Sequence, residues 1–133
     1  MSNWANYDIE SRLRAILSEV QYEHHFGGRP FLTAYQLAIE FANRHPADFA
    51  AIGLPIGGTN TGQPNSLTQY IAGQLSQRIN AGTITDIEGS FLAHMNLHDI
   101  TFDSPDGVIS SSLKGSQYPV SMYRLRDTSP ALT

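Results

Sequence analysis

The sequence predicts an α+β domain, a three-helix core followed by a C-terminal antiparallel β-hairpin or three-stranded sheet. Three observations predict it. Apolar residues recur at helical spacing from Ile9 to Ile79, glycine and proline interrupt that pattern at two places, and beyond Gly82 the apolar period falls to two.

The first helix is set by Ile9, Leu13, Ile16, Leu17 and Val20, which lie on one helical stripe. Asp8 is suited to its N-cap and Gly27-Gly28 to its stop, giving a helix over 9–25. His24 continues the stripe, which predicts a partly buried histidine. Arg29-Pro30-Phe31-Leu32 reads as an extended link, because proline restricts the residue before it. Thr33 then caps a second helix over 34–44. Leu37 and Phe41 lie on one side of it and Tyr35, Ile39 and Ala42 on another, the pattern of a helix packed between layers. Pro46 to Ile52 forms an extra turn, with proline at the first helical position and Gly53 at the end. The glycines and prolines of Gly53–Asn65 mark a long loop. Ser66 caps a third helix over 67–80, whose inward stripe is Leu67, Tyr70, Ile71, Leu75 and Ile79. Its other face carries Gln69, Gly73, Ser76, Gln77 and Asn80, all small or polar and none charged.

After Ala81-Gly82, Phe91, Ala93, Met95 and Leu97 alternate with Leu92, His94, Asn96 and His98, as in a strand with one covered face. Ile100 and Phe102 continue on the opposite parity, which predicts a bulge or break near His98-Asp99. Ser104-Pro-Asp-Gly107 is a turn signal. Val108–Leu113 reads as the return strand, Lys114–Gln117 as a second turn and Tyr118–Arg126 as a last strand. Pro119 places that strand at an edge or marks its start. Residues 1–126 therefore form one domain, and 127–133 a loose tail.

The composition bounds the function. Hydrophobic residues make up 41% of the chain and charged residues only 15%, so the surface is built from Ser, Thr, Asn, Gln and Gly. A formal net charge of −4 counts against dedicated nucleic-acid binding, which favours a basic stripe. The absence of cysteine excludes disulfides and thiolate metal sites. The N-terminus lacks the basic and apolar regions of a signal peptide, and no apolar run suggests a membrane span, so a cytoplasmic location and no membrane contact are expected.

Helix, short extended piece, capped helix, loop, helix and then a hairpin is an order that resembles the winged-helix family. The segment Phe31-Leu-Thr-Ala-Tyr-Gln-Leu-Ala38 is similar to the link into the second helix of such domains. The resemblance implies that the third helix is a recognition helix and the hairpin after Gly82 a wing. Gln69, Gly73, Ser76, Gln77 and Asn80 would then face a major groove, where glutamine and asparagine pair with adenine. Arg78, Lys114, Arg124 and Arg126 would be the phosphate contacts. The link between the second and third helices is longer than that family's tight turn, and the presumptive recognition face holds no Arg or Lys. Winged-helix domains also serve as protein-docking modules, so the resemblance leaves DNA or a protein as partner.

No catalytic, cofactor or metal signature is present. The glycine-rich loop lacks the lysine of a P-loop, and neither G-x-S-x-G nor H-E-x-x-H occurs. On a strand His94 and His98 stand about 13 Å apart, too far to share an ion. An enzyme would have to gather dispersed residues such as His24, His45 and His94. Trp4, Tyr7 and Tyr22 pack the N-terminal arm on the domain or supply the contact of a homodimer.

Overall fold

In a computed structural model of the chain, residues 2–25, 27–57, 66–93, 95–97, 99–105, 107–112 and 120–126 are described. Helices come first and antiparallel strands follow. α1 (Asn3–Asn6) and α2 (Ile9–Ser18) precede a two-residue strand β1 (Leu32–Thr33), then α3 (Ala34–Arg44), α4 (Pro46–Ile52) and α5 (Leu67–Ala81). β2 (Ile87–Leu92), β3 (Asp99–Ser104), β4 (Gly107–Ser112) and β5 (Val120–Leu125) complete the order.

α2 buries Ile9, Leu13, Ile16 and Leu17 as its stripe requires, but it stops at Ser18 instead of continuing to residue 25. Two interactions end it. The Arg29 guanidinium donates to the carbonyl oxygens of Ser18 (2.7 Å) and Val20, satisfying acceptors at the end of the helix. Glu23 and Gly28 exchange backbone hydrogen bonds as an antiparallel bridge, which pulls the chain into a turn. His24 is therefore exposed, edge-on to Tyr22 at 5.1 Å, and the buried stripe ends before it.

α3 begins with a capping box. The Gln36 N–H donates to Thr33 Oγ1 (3.2 Å), and the Thr33 N–H donates to Gln36 Oε1 (2.7 Å). The helix buries Leu37, Ala38 and Phe41 and, on a second side, Ile39. α4 has Pro46 in its first turn and ends at Gly53. The chain beyond is less of a loop than its glycines suggest. Leu54 and Ile56 pack against the core, and the carbonyls of Pro55 and Ile56 accept the N–H groups of Leu67 (2.7 Å) and Thr68 (3.1 Å). Residues 54–57 thus help to close the N-terminus of α5, while 58–65 lie outside the described residues.

One sheet has the strand order β1-β5-β2, all antiparallel, with Leu32 opposite Tyr123 and Gly89 opposite Tyr123 on the other side. β3 and β4 form a separate hairpin, turning at Ser104–Gly107 as the turn signal requires. The expected break near His98–Asp99 is thus the passage from one sheet to the other, although His98 itself lies outside the described residues. The last strand is central rather than at an edge. Pro119 precedes its described start and lies outside the described residues.

The core forms where α2, α3 and α5 meet the sheet. Leu13, Leu37, Phe41, Leu67, Ile71 and Leu75 converge there with Ile87 and Tyr123 from the strands. This corrects the reading of the alternation at 91–97. Phe91, Met95 and Leu97 are 63%, 77% and 37% exposed, and the residue of β2 that enters the core is Ile87. The helical layer covers only the first end of β2, so Phe91 meets solvent, and the strand ends at Leu92, so Met95 and Leu97 lie beyond it. Trp4 packs inward at 5% exposure and Tyr7 is half-buried against the same core.

Candidate recognition surface

Ser66 starts α5 by accepting the Gln69 N–H at its hydroxyl (3.1 Å), and the stripe Leu67, Ile71, Leu75 anchors the helix to the core with no exposure. That anchoring turns Gln69, Gly73, Gln77 and Asn80 outward, and all four are exposed. A Cβ at Gly73 would meet nothing within 4 Å, so this face is an open, flat surface of amides around a gap. Ser76 does not belong to it. Its hydroxyl is half-buried and hydrogen-bonded to Tyr123 Oη (2.9 Å), which in turn donates to the Ala72 carbonyl (3.1 Å). Ser76 thereby joins helix to sheet.

Of the four cations expected beside this face, Arg78 and Arg124 are engaged within the molecule. Arg78 lies with its guanidinium carbon 4.9 Å from the centre of the Trp4 ring and donates to Gln74 Oε1, on the inward flank of the helix. Arg124 donates to Glu88 (2.7 Å) and to the Arg29 carbonyl (3.2 Å), and it covers the Phe31 ring at 4.4 Å. Arg126 is exposed, and Lys114 lies outside the described residues.

Other arginines are committed in the same way. Arg12 pairs with Asp48, Arg14 with Asp86 through two bonds (2.7 and 3.0 Å), and Arg44 with Glu19 through two bonds (2.6 and 2.8 Å) and with Glu40. The bond from Arg14 holds the Asp86 carboxyl below its ordinary range, and the bond from Arg44 does the same for Glu19. Fixed positive charge is thus spent in tying α2 to α4, to the turn before β2 and to α3.

Beside α5 lies a groove that sequence reasoning missed. A cavity of about 270 Å³ opens between Ser76, Ile79 and Asn80 of the helix and Gly89, Phe91 and Tyr123 of the sheet. Gly89 is there because the Tyr123 ring lies against it. A Cβ at Gly89 would stand 3.2 Å from Tyr123 Cε1, closer than side chains ordinarily approach. Phe91, two residues on and on the same face, stands at the mouth. The signal was in the sequence as a glycine within a strand, a mark of close approach by another group.

No family model, curated protein or solved structure matches this chain. His45 sits half-buried against Phe41, ring centres 5.4 Å apart, with its pKa lowered by burial and by the charge of Arg12. His24 is exposed elsewhere, and His94 and His98 lie outside the described residues. Among the described residues no group of three His, Asp or Glu could hold a metal ion, and no helix is long and apolar enough to cross a membrane.

Proposed function

We propose that the chain is a non-catalytic, winged-helix-like recognition module whose α5 face takes a protein partner. The element order supports the winged-helix reading, since a short β1 before α3 and two later strands build one sheet in the order β1-β5-β2. One observation favours protein over DNA. Of the three described cations of the phosphate-contact reading, Arg78 and Arg124 are each engaged within the molecule by an aromatic ring and by hydrogen bonds, and Arg126 is exposed. DNA affinity rests on releasing counterions from phosphates, which needs free cations around the reading helix. What the helix offers is a neutral surface of Gln69, Gln77 and Asn80 around Gly73, suited to amide and backbone hydrogen bonds.

The open amides also suit adenine, so a single experiment compares both readings. Binding of short duplexes is measured at low ionic strength, alongside photo-crosslinking from position 77 in producing cells with position 51 on α4 as control. The proposal expects no salt-dependent duplex binding and a crosslink to a distinct polypeptide, lost on Gly73→Arg, which fills the gap. Tight duplex binding that falls steeply with salt and is lost on Gln69→Ala or Gln77→Ala overturns it in favour of DNA.

A further inference from the structure

We infer that this chain pairs with a second copy of itself along the outer edge of β2, with Phe91 of each copy seated in the other's groove beside Gly89. The inference does not depend on what α5 recognises. It begins from the sheet order, which leaves β2 an edge strand with no partner on its outer side among the described residues.

The hydrogen-bond phase of that edge follows from one contact. The Arg126 N–H donates to the Asp86 carbonyl (2.7 Å), and Ile87 stands opposite Leu125, so 86 and 126 form a hydrogen-bonded pair. Antiparallel pairs alternate, so Glu88, Ser90 and Leu92 direct their backbone groups to β5. Ile87, Gly89 and Phe91 direct theirs outward. A twofold axis through Ser90 then pairs Gly89 of one copy with Phe91 of the other, both with outward groups, and does so twice.

Side chains fit the same register. Gly89 and Phe91 share the face that looks onto α5, so Phe91 of one copy lies beside the glycine of the other, against Tyr123 and over the cavity of about 270 Å³. Charge permits it despite the acidic chain. The one charged residue of β2, Glu88, is already paired with Arg124 and would stand opposite Leu92, so no like charges meet.

Phe91 is 63% exposed, and covering it hides roughly 100–150 Å² per copy. With Leu92 and the strand edge the total over both copies reaches about 1,000 Å², the lower limit of specific interfaces. A weak, concentration-dependent dimer is therefore expected. Because the axis stands normal to the sheet, both α5 helices emerge on the same side.

The chain contains no cysteine, so a single introduced one reads the register. Ser90→Cys places two thiols on the axis in a non-hydrogen-bonded pair, with Cα atoms about 4.5 Å apart, within disulfide reach. Leu92→Cys places them about 13 Å apart. Sedimentation of the wild type over a concentration series should show monomer and dimer. Mild oxidation should link Ser90→Cys at least tenfold faster than Leu92→Cys. Phe91→Lys, checked for folding by the emission of Trp4, should weaken association at least thirtyfold, while Gly73→Arg should leave it unchanged. A wild type that stays monomeric at millimolar concentration overturns the inference. So does equal linking of the two cysteine variants, or a dimer indifferent to Phe91→Lys.

Discussion

Tyr123→Phe removes one oxygen and tests how α5 is fixed to the sheet. The Tyr123 side chain is 2% exposed, and its hydroxyl donates to the Ala72 carbonyl and accepts from Ser76. The ring stays in the variant, so no large cavity opens and the cost is that of the two hydrogen bonds. Each is worth about 1 kcal/mol net. The Ala72 carbonyl keeps its bond within the helix, and half-buried Ser76 regains part of its own from water. The expected loss is therefore about 1–2 kcal/mol, or roughly 4–7 °C in Tm for a chain of this size. Urea unfolding followed by the single tryptophan measures it, because Trp4 is buried in the native state. Ser76→Ala completes a double-mutant cycle, with an expected coupling of about 1 kcal/mol. A Tyr123→Phe cost below about 0.3 kcal/mol, or no coupling to Ser76, would refute the assignment of this bond as the joint between helix and strand.

Thr33→Ala should cost about 1 kcal/mol by removing the hydroxyl side of the capping box, and Thr33→Ser should restore most of it; equal thermal melts for all three proteins count against the cap. Ser66 Oγ would stand 3.0 Å from a Cβ at Gly57, so the two ends of 58–65 meet. Replacing that segment by a four-residue turn should change stability by less than about 1 kcal/mol, whereas cutting into Leu54 and Ile56 should cost several, both read by urea titration. Acid stability should follow Asp86, whose folded pKa is lowered by its hydrogen bond to Arg14. The stabilisation it contributes is present above its unfolded pKa near 3.8 and lost as pH falls through the lower folded value, so Asp86→Asn should flatten the acid limb below about pH 4. His45 is lowered too, by burial first, so its contribution is full above about 6.5 and declines as pH drops below that; His45→Gln should flatten the slope between neutral pH and 5. A variant that keeps the wild-type slope in its window refutes that residue's part.

The helices were legible because their signals are local. Thr33 and Ser66 carry caps that act within three residues, and the stripes of α2, α3 and α5 are each complete within one element. The end of α2 was not legible, since the carbonyls of Ser18 and Val20 are satisfied by an arginine from beyond the turn. The change from helix to strand after Gly82 was legible, but the bounds of β2 and its core residue were not. Whether Phe91 meets a helix depends on how far α5 extends over β2, which no window of sequence contains. On the outward side of α5, Gln69, Gly73, Gln77 and Asn80 are exposed, whereas Ser76 is half-buried by a bond that no local window shows, since its partner Tyr123 lies far along the chain. The fate of the arginines was likewise hidden. Their pairing with Asp48, Asp86, Glu19 and Glu88 is a property of the folded surface, and charge counting alone treats each as available.

The strand order β1-β5-β2 also governs how the chain can be made. Its middle member is the last of the three in sequence, and it joins Leu32–Thr33 to Ile87–Leu92 by pairing with both. During synthesis the helices can dock as they emerge, but neither outer strand has its ladder until β5 leaves the ribosome. Until then β2 is open along both edges, and the core lacks the Tyr123 ring. Sheet closure is thus a late, long-range event that slows folding relative to the local helices. Nascent chains that stall before Val120 would expose a helical cluster with bare strands, the form in which quality-control factors or neighbouring chains can engage it.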